Sequence, residues 1–236
     1  MARAEHRGQV DGRRGDSTED GRADRAGDGR AGRAGDGLGE YRRRRDFGRT
    51  REPRGAGRGG GPEFGFVVQI HDASTTHFDF RLEVDGVLKS WAVPKGPSTD
   101  PHDKRLAMPT EDHPLEYRDF EGVIAEGEYG AGAVIVWDEG RYRSLATDRH
   151  GHEVPFAQAL RDGHASFRLD GGKLRGGYAL TRFRSGGDDG RGEAWLLVKH
   201  HDGQAAPHSR GTPDPHRARS VRSGRTLHQV AAGVRR

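Results

Sequence analysis

The sequence predicts an all-β fold: a small closed or partly open β-barrel of about eight strands with one short helix, flanked by disordered tails. Apolar residues are concentrated between residues 62 and 201, where short runs rich in Val, Ile, Phe and Trp alternate with Gly, Asp and Pro. Asp85-Gly86 separates two of these runs by the two residues typical of a tight hairpin, which needs positive φ at both positions. Many short strands in one compact segment favour a barrel or a sandwich.

The expected strands are short and follow one another closely. In chain order they cover residues 65–71, 77–84, 87–93, 133–137, 141–144, 164–168, 177–183 and 194–199. A short helix is expected at 155–161, where Pro155 suits the first turn and Phe156, Ala159 and Leu160 share one side.

Composition divides the chain into four parts. Only 31% of the 236 residues are hydrophobic and 38 are glycine, so a core spread over the whole length would be too thin to offset chain entropy. Residues 1–40, nearly all Arg, Asp, Gly and Ala, are predicted to be disordered. Residues 41–61 form an arm with two aromatics that can dock, followed by a flexible joint; residues 62–201 form the barrel; residues 202–236 are predicted to be a disordered basic tail.

Charge is distributed unevenly around a net value of +4. Lys plus Arg outnumber Asp plus Glu by 16 to 11 in residues 1–61 and by 7 to 2 in residues 202–236, whereas the middle holds 17 against 23. Basic ends around an acidic middle suggest arms that grip phosphate backbones, and the alternative is that they only solubilise the chain.

Two absences narrow the function classes. There is no cysteine, so disulfides, zinc-thiolate sites and thiol nucleophiles are excluded, and any metal must be held by His, Asp or Glu. No apolar run has the length of a membrane span or of a signal peptide, so we expect a cytoplasmic protein without a membrane partner.

The most informative segment is the expected strand at 77–84 together with the end of the strand before it. Because strand side chains alternate between faces, His77, Asp79 and Arg81 point one way and the apolar residues between them point the other. With His71 nearby, two imidazoles and a carboxylate suit Mn²⁺, Zn²⁺ or Fe²⁺, and the Arg81 guanidinium suits a phosphate held by that ion. The alternative is an exposed polar face with a surface ion pair.

Three further features favour phosphate chemistry. Lys95 and Arg105 place cations in loops, and a polar cluster at 111–117 brings a third histidine, His113, next to a tyrosine, Tyr117. The glycines of segment 121–132 permit close backbone approach, but the segment lacks a P-loop ending and is expected to be a tight β-loop.

Several blocks of the sequence, in this order, resemble one family. They are Gln-Ile-His-Asp-Ala-Ser at 69–74, His-Phe-Asp-Phe-Arg-Leu-Glu at 77–83, Trp-Ala-Val-Pro-Lys-Gly-Pro at 91–97, Glu-Asp-His-Pro-Leu-Glu-Tyr at 111–117 and Glu-Gly-Val-Ile at 121–124. Together they closely resemble the 3′-phosphoesterase module of bacterial DNA ligase D. The resemblance covers roughly residues 41–202, including the arm and the strand at 194–199.

The resemblance implies a role for each matching residue. His71, His77 and Asp79 match manganese ligands, with Co²⁺ or Zn²⁺ as other metals, and Arg81 and His113 match residues that hold the scissile phosphate. The residues that match supporting positions around that phosphate are Gln69, Lys95, Arg105 and Tyr117. The residues that match arm positions assisting catalysis are Arg45, Asp46 and Glu52. His113 would donate a hydrogen bond to the phosphate or protonate the leaving oxygen, a role that suits a pKa near neutrality.

The resemblance also implies a function. We expect a manganese-dependent 3′-phosphoesterase that acts on DNA or RNA-tailed DNA 3′ ends in bacterial non-homologous end joining. Because no ligase or polymerase domain follows, we expect a stand-alone protein. We also expect it to be a nucleoid-associated monomer, with Ku and a separate ATP-dependent ligase or polymerase as potential partners. The alternatives are a catalytically silent DNA-end-binding adaptor, a two-histidine phosphodiesterase, for which only His164-Ala165-Ser166 qualifies, and a cupin-like enzyme of small molecules.

Overall fold

The computed structural model describes residues 37–55, 64–185, 192–209 and 212–233, and these residues form a β-barrel with short helices. The strands are β1 Phe64–Asp72, β2 Thr76–Val84, β3 Val87–Val93, β4 Lys104–Pro109, β5 Gly122–Ile124, β6 Gly132–Ser144, β7 His164–Gly171, β8 Arg175–Arg184 and β9 Ala194–Lys199. The helices are α1 Gly39–Arg43, α2 Phe156–Asp162, α3 Leu227–Ala232 and a 3₁₀ helix at Leu115–Asp119. None of these helices is long and apolar enough to cross a membrane.

Eight of the strands close into an antiparallel barrel. Their order is β1-β2-β3-β4-β9-β8-β7-β6, and β6 pairs with β1 to complete the ring. The ninth strand, β5, pairs with the first part of β6 outside the ring. The predicted all-β barrel of about eight strands is therefore confirmed.

Alternation along β1 and β2 separates the barrel interior from the candidate site. The inward residues of these two strands belong to the main core and are Phe66, Val68, Ile70, Phe78, Phe80 and Leu82. The residues between them, including Gln69, His71, Asp79 and Arg81, therefore lie on the outward face. The hairpin at Asp85-Gly86 fixes this register, because both residues adopt the predicted positive φ, 50° and 80°.

Strand β6 corrects two of the predicted boundaries. Residues 133–137 and 141–144 belong to one continuous strand of 13 residues, which pairs with β1 along most of its length and with β7 at its end. The polar residue Asp138 resembles a turn signal in the sequence, but it is buried and accepts hydrogen bonds from the amides of Lys173 (2.9 Å) and Leu174 (2.7 Å). Strand β4 was not predicted. Its large apolar residues, Leu106 and Met108, are exposed, so the segment lacks the alternation of buried apolar and exposed polar residues that indicates a strand.

The arm docks on the outward face of the barrel. A second, smaller core joins Tyr41 of α1 to Val67, Leu88, Tyr117 and Val136. Tyr41 is fully buried, and its hydroxyl donates a 2.7 Å hydrogen bond to the Pro53 carbonyl. Leu38 is buried as well, so the ordered arm begins before the predicted boundary at residue 40. Residues 1–36 and the joint at 56–63 lie outside the described residues.

The prediction of a disordered tail at 202–236 is wrong for its described residues. Ala218, Leu227 and Val230 join the main core, and Thr226 caps α3 through a capping box with Gln229. Arg222 forms ion pairs with Glu139 and Asp119. This segment could not be recognised from its sequence pattern, because its few apolar residues are widely spaced among arginines and turn residues.

This packing predicts that the C-terminal segment contributes to stability. Leu227→Ala should lower the free energy of unfolding by about 2–5 kcal/mol, because it deletes a core side chain that is 2% exposed. Urea unfolding followed by tryptophan fluorescence measures the change, with the exposed neighbour His228→Ala as the matched control on the same helix. Equal unfolding midpoints for the two variants would contradict the packing described for α3.

Candidate metal centre

Three side chains converge where β1 ends and β2 begins. His71 and His77 are directly opposite in the β1–β2 register. His71 Nδ1 lies 3.8 Å from Asp79 Oδ2, and His77 Nε2 lies 3.7 Å from Asp79 Oδ1. One ligand atom of each residue lies within 4.8 Å of the other two. Within the described part of the chain, no other three His, Cys, Asp or Glu residues form such a group.

Backbone carbonyls orient both histidines. His71 Nε2 lies 2.7 Å from the Gly130 carbonyl oxygen, and His77 Nδ1 lies 2.8 Å from the Thr75 carbonyl oxygen. Since a carbonyl only accepts, each of these nitrogens carries the proton, and the other ring nitrogen turns its lone pair toward Asp79. This arrangement is typical of metal-ligating histidines, and two imidazoles with one carboxylate suit Mn²⁺ or Zn²⁺. The three residues therefore fit a divalent metal ion.

A glycine makes this orientation possible. Gly130 has φ of 75°, and a Cβ at that position would lie 3.3 Å from the His71 ring. A larger residue would therefore be strained in its backbone and crowded against the imidazole. The glycine-rich segment 121–132 forms β5 and the turn before β6, as the predicted tight β-loop requires.

Arg81 is held rigidly next to the three converging residues. Its Nη2 donates to Asp79 Oδ2 at 3.0 Å, its Nε to Gln69 Oε1 at 2.9 Å and its Nη1 to Ser90 Oγ at 2.8 Å. Gln69 is oriented in turn, because its Nε2 donates to the Tyr117 and Phe120 carbonyls. The guanidinium is 2% exposed and has little freedom to move.

Asp79 is ionised at neutral pH despite its burial. Burial alone would raise its pKa, but the adjacent Arg81 guanidinium holds the pKa below the ordinary range. The carboxylate is therefore available as a ligand and as the counter-charge of Arg81.

His113 lies between two guanidinium groups. Its Nδ1 is 3.0 Å from Arg81 Nη1 and 2.8 Å from the Glu111 carbonyl oxygen, and its Nε2 is 3.4 Å from Arg45 Nη2. Burial, followed by the charges of Arg81 and Arg45, lowers the pKa of His113 well below its ordinary value. The expectation of a pKa near neutrality is therefore wrong for the free protein, in which the imidazole is neutral.

The lowered pKa of His113 predicts a pH-dependent stability. The unfolded chain takes up a proton on this side chain near pH 6.5, whereas the folded protein resists protonation, so acidification favours unfolding. From about pH 7.5 to about pH 5.5, this one group should lower the free energy of unfolding by about 1 kcal/mol. Urea unfolding in EDTA measures the effect, and His113→Gln should remove that part of the pH dependence. Identical pH profiles for the two proteins would contradict the buried neutral imidazole.

The arm brings two of its predicted residues to the site. Arg45 Nε pairs with Glu52 Oε1 at 2.8 Å, and Arg45 Nη1 pairs with Glu111 Oε1 at 3.1 Å. The Tyr117 hydroxyl donates to Glu52 Oε1 at 3.0 Å. Burial and the neighbouring Glu52 raise the pKa of Tyr117 well above its ordinary value, so the hydroxyl stays protonated. The arm therefore forms one wall of the site.

Three predicted residues are not brought to this cluster. Asp46 is exposed and accepts a 2.9 Å hydrogen bond from the Gly48 amide. Lys95 is exposed after β3, and Arg105 in β4 pairs with Asp103 at 2.7 Å. No hydrogen bond or ion pair between described residues joins any of the three to the metal-site residues, and their roles stay predictions.

The cluster lines a cavity of about 260 Å³. Its walls include Thr110, Glu111 and Tyr129, which we did not predict as site residues. The position of Glu111, two residues before His113, offered a signal for it. Ser90 was also missed, although its place opposite Arg81 in the β2–β3 register follows from strand alternation.

Fold and site together define a closed β-barrel protein with a candidate divalent-metal centre against a buried arginine. Residues 69–182 match the family model described as the DNA Ligase D 3′-phosphoesterase domain, and this segment of the chain belongs to that family. The matched segment includes all three candidate metal ligands as well as Arg81 and His113.

Curated relatives agree with this assignment. The chain is 50% identical over 192 residues to the multifunctional non-homologous end joining protein LigD of Pseudomonas aeruginosa. The aligned residues are 80% of this chain and 22% of that protein. It is 45% identical over 163 residues to the LigD DNA repair protein of Mycobacterium tuberculosis, covering 67% of this chain and 19% of that protein. The chain thus spans about a fifth of the length of these relatives.

Proposed function

We propose that this protein is a metal-dependent phosphoesterase that trims the 3′ ends of DNA or of RNA-tailed DNA. One observation carries the proposal: His71, His77 and Asp79 converge next to Arg81, whose guanidinium is immobilised by three hydrogen bonds. The family of the barrel supports the same class of reaction, hydrolysis of phosphate esters.

The three ligands fit a divalent ion, for which we propose Mn²⁺, with Co²⁺ or Zn²⁺ as alternatives. When bound, such an ion supplies a Lewis acid that polarises a phosphoryl oxygen. Asp79 is ionised and both histidines are held in the ligating tautomer, so this chain presents its donors before the metal arrives. That preorganisation lowers the cost of ordering the site on binding.

Arg81 is positioned to hold the phosphate. A guanidinium has five N–H donors. Gln69, Ser90 and Asp79 each take one and a second N–H of Nη1 lies against His113, so the remaining N–H of Nη2 is left for a phosphate oxygen. A second donor of this kind comes from the arm, because Arg45 Nη2 lies 3.4 Å from His113 at the same cavity. Fixed donors stabilise developing negative charge without reorganisation during the reaction.

Substrate binding also changes the role of His113. The free protein keeps its imidazole neutral because the side chain is buried and is flanked by Arg81 and Arg45. A phosphate group in the cavity adds negative charge that offsets these two cations and raises the pKa of His113. Protonation would then accompany substrate binding and supply an N–H donor for the phosphate or the leaving oxygen.

We propose two successive reactions at this site. The first removes a terminal ribonucleoside and leaves a 3′-phosphate, and the second removes that phosphate and leaves a 3′-hydroxyl that can be ligated. The names of the relatives place such proteins in non-homologous end joining, and we propose the same repair setting here, with Ku and a ligase or polymerase as partners.

A 5′-labelled primer–template with one 3′-terminal ribonucleotide tests the proposal. With Mn²⁺ the labelled primer should lose its terminal nucleoside and become a product with a 3′-phosphate. That product should then become a 3′-hydroxyl primer, one nucleotide shorter than the substrate, and EDTA should prevent both steps. Binding of the primer–template without cleavage at any metal concentration would contradict the proposal and favour a silent end-binding adaptor.

A further inference from the structure

A groove with a basic lining lies away from the metal centre. It has a volume of about 640 Å³ and is lined on the outward faces of β6, β7 and β8 by four exposed arginines, Arg141, Arg143, Arg168 and Arg175. Phe64, at the start of β1, is 45% exposed and forms part of the same lining. Among the described lining residues, Asp170 is the only carboxylate.

The arrangement of these arginines does not contribute to the stability of the fold. Arg143 and Arg168 stand directly opposite each other in the β6–β7 register, where like charges destabilise a sheet. Asp170 is opposite Arg141 on one side and Arg175 on the other, so one carboxylate serves both. Among the described lining residues, four arginines stand against one carboxylate, and this positive balance favours an anionic partner.

We propose that this groove binds the phosphate backbone of the nucleic acid whose 3′ end lies in the metal centre. The inference rests on the proposed function, since it takes nucleic acid as the substrate. Arginines recognise phosphates through paired donors, and an exposed aromatic next to them provides a face on which a base can stack. The groove is therefore a second, sequence-independent contact.

Strand geometry sets the scale of this contact. Phe64 and His71 are the first and eighth residues of β1, so the groove rim lies about 23 Å along the strand from the metal centre. A duplex rises about 3.4 Å per base pair, so this span corresponds to roughly 7 base pairs. Duplexes shorter than this should not reach the groove from an end bound in the site.

The test compares two double variants with the same change in net charge. Arg143→Ala/Arg168→Ala removes the opposed pair from the groove, whereas Arg149→Ala/Arg161→Ala removes two exposed arginines from outside it. Fluorescence anisotropy measures the affinity for a long and a short primer–template duplex between about 50 and about 200 mM salt.

The groove variant should bind the long duplex roughly tenfold more weakly at low salt, and the slope of log affinity against log salt should fall by about 1.8, or about 0.9 for each lost phosphate contact. The control should match the wild type, and the short duplex should not distinguish the proteins. Equal affinity and slope for the groove variant and the control would overturn the inference. The binding measurement needs no turnover, so its result is separate from a failure of the proposed catalytic activity.

Discussion

Replacing His77 by alanine is expected to reduce Mn²⁺-dependent 3′-end trimming by at least about a hundredfold. His77 supplies one of two imidazoles at the candidate centre, and loss of even an outer partner of a metal ligand typically costs 10- to 100-fold in affinity or activity. The side chain is partly exposed at the rim of the site, so its removal leaves the two barrel cores intact. Circular dichroism verifies the fold, and the 5′-labelled primer assay measures the rate.

A second histidine on the barrel surface provides the control for this experiment. His164 at the start of β7 is exposed, and its Nδ1 lies 2.9 Å from the Thr181 hydroxyl. His164→Ala should retain the wild-type rate with Mn²⁺. A folded His77→Ala protein that trims as fast as His164→Ala would show that the metal assignment is wrong.

Deleting the arm is expected to have the next largest effect. Deletion of residues 1–55 removes Arg45 and Glu52 from the site and Tyr41 from the second core, whereas deletion of residues 1–36 leaves the described arm intact. The longer deletion should reduce activity or DNA binding by more than tenfold relative to the shorter one. Primer trimming and anisotropy with the same duplex measure both effects.

A single substitution keeps this prediction informative if the longer deletion unfolds. Arg45→Met preserves the bulk of the side chain above the Tyr41 ring, which lies 3.8 Å from the Arg45 guanidinium, but removes its charge. We expect lower activity with an unchanged circular dichroism spectrum. Wild-type activity in both Arg45→Met and the longer deletion would exclude the arm from the site.

Strand alternation allowed most of the site to be predicted. The pattern of His77, Asp79 and Arg81 against Phe78 and Phe80 placed the polar residues on one face, and the structure confirms that face. Arm docking followed from the aromatics in a polar segment, of which Tyr41 is fully buried. These features depend on local patterns, which a sequence records directly.

Other features depend on distant contacts and could not be predicted. The pKa of His113 is set by burial and by Arg81 and Arg45, which lie on β2 and on the arm. In the sequence, the C-terminal segment resembles a basic tail. Ala218, Leu227 and Val230 can be recognised as core residues only when the barrel against which they pack is known. The positions of two predicted cations were equally unpredictable: Lys95 lies in the loop after β3 and Arg105 in β4, both apart from the cluster despite their suitable charge.

Direct measurement of Mn²⁺ binding tests the metal centre most directly. Titration of the protein, followed by the electron paramagnetic resonance signal of free Mn²⁺, should show one bound ion per chain. Asp79→Asn, which keeps the size of the side chain and removes its charge, should lose that ion. Equal Mn²⁺ binding by the wild type and by Asp79→Asn would contradict a centre formed by His71, His77 and Asp79.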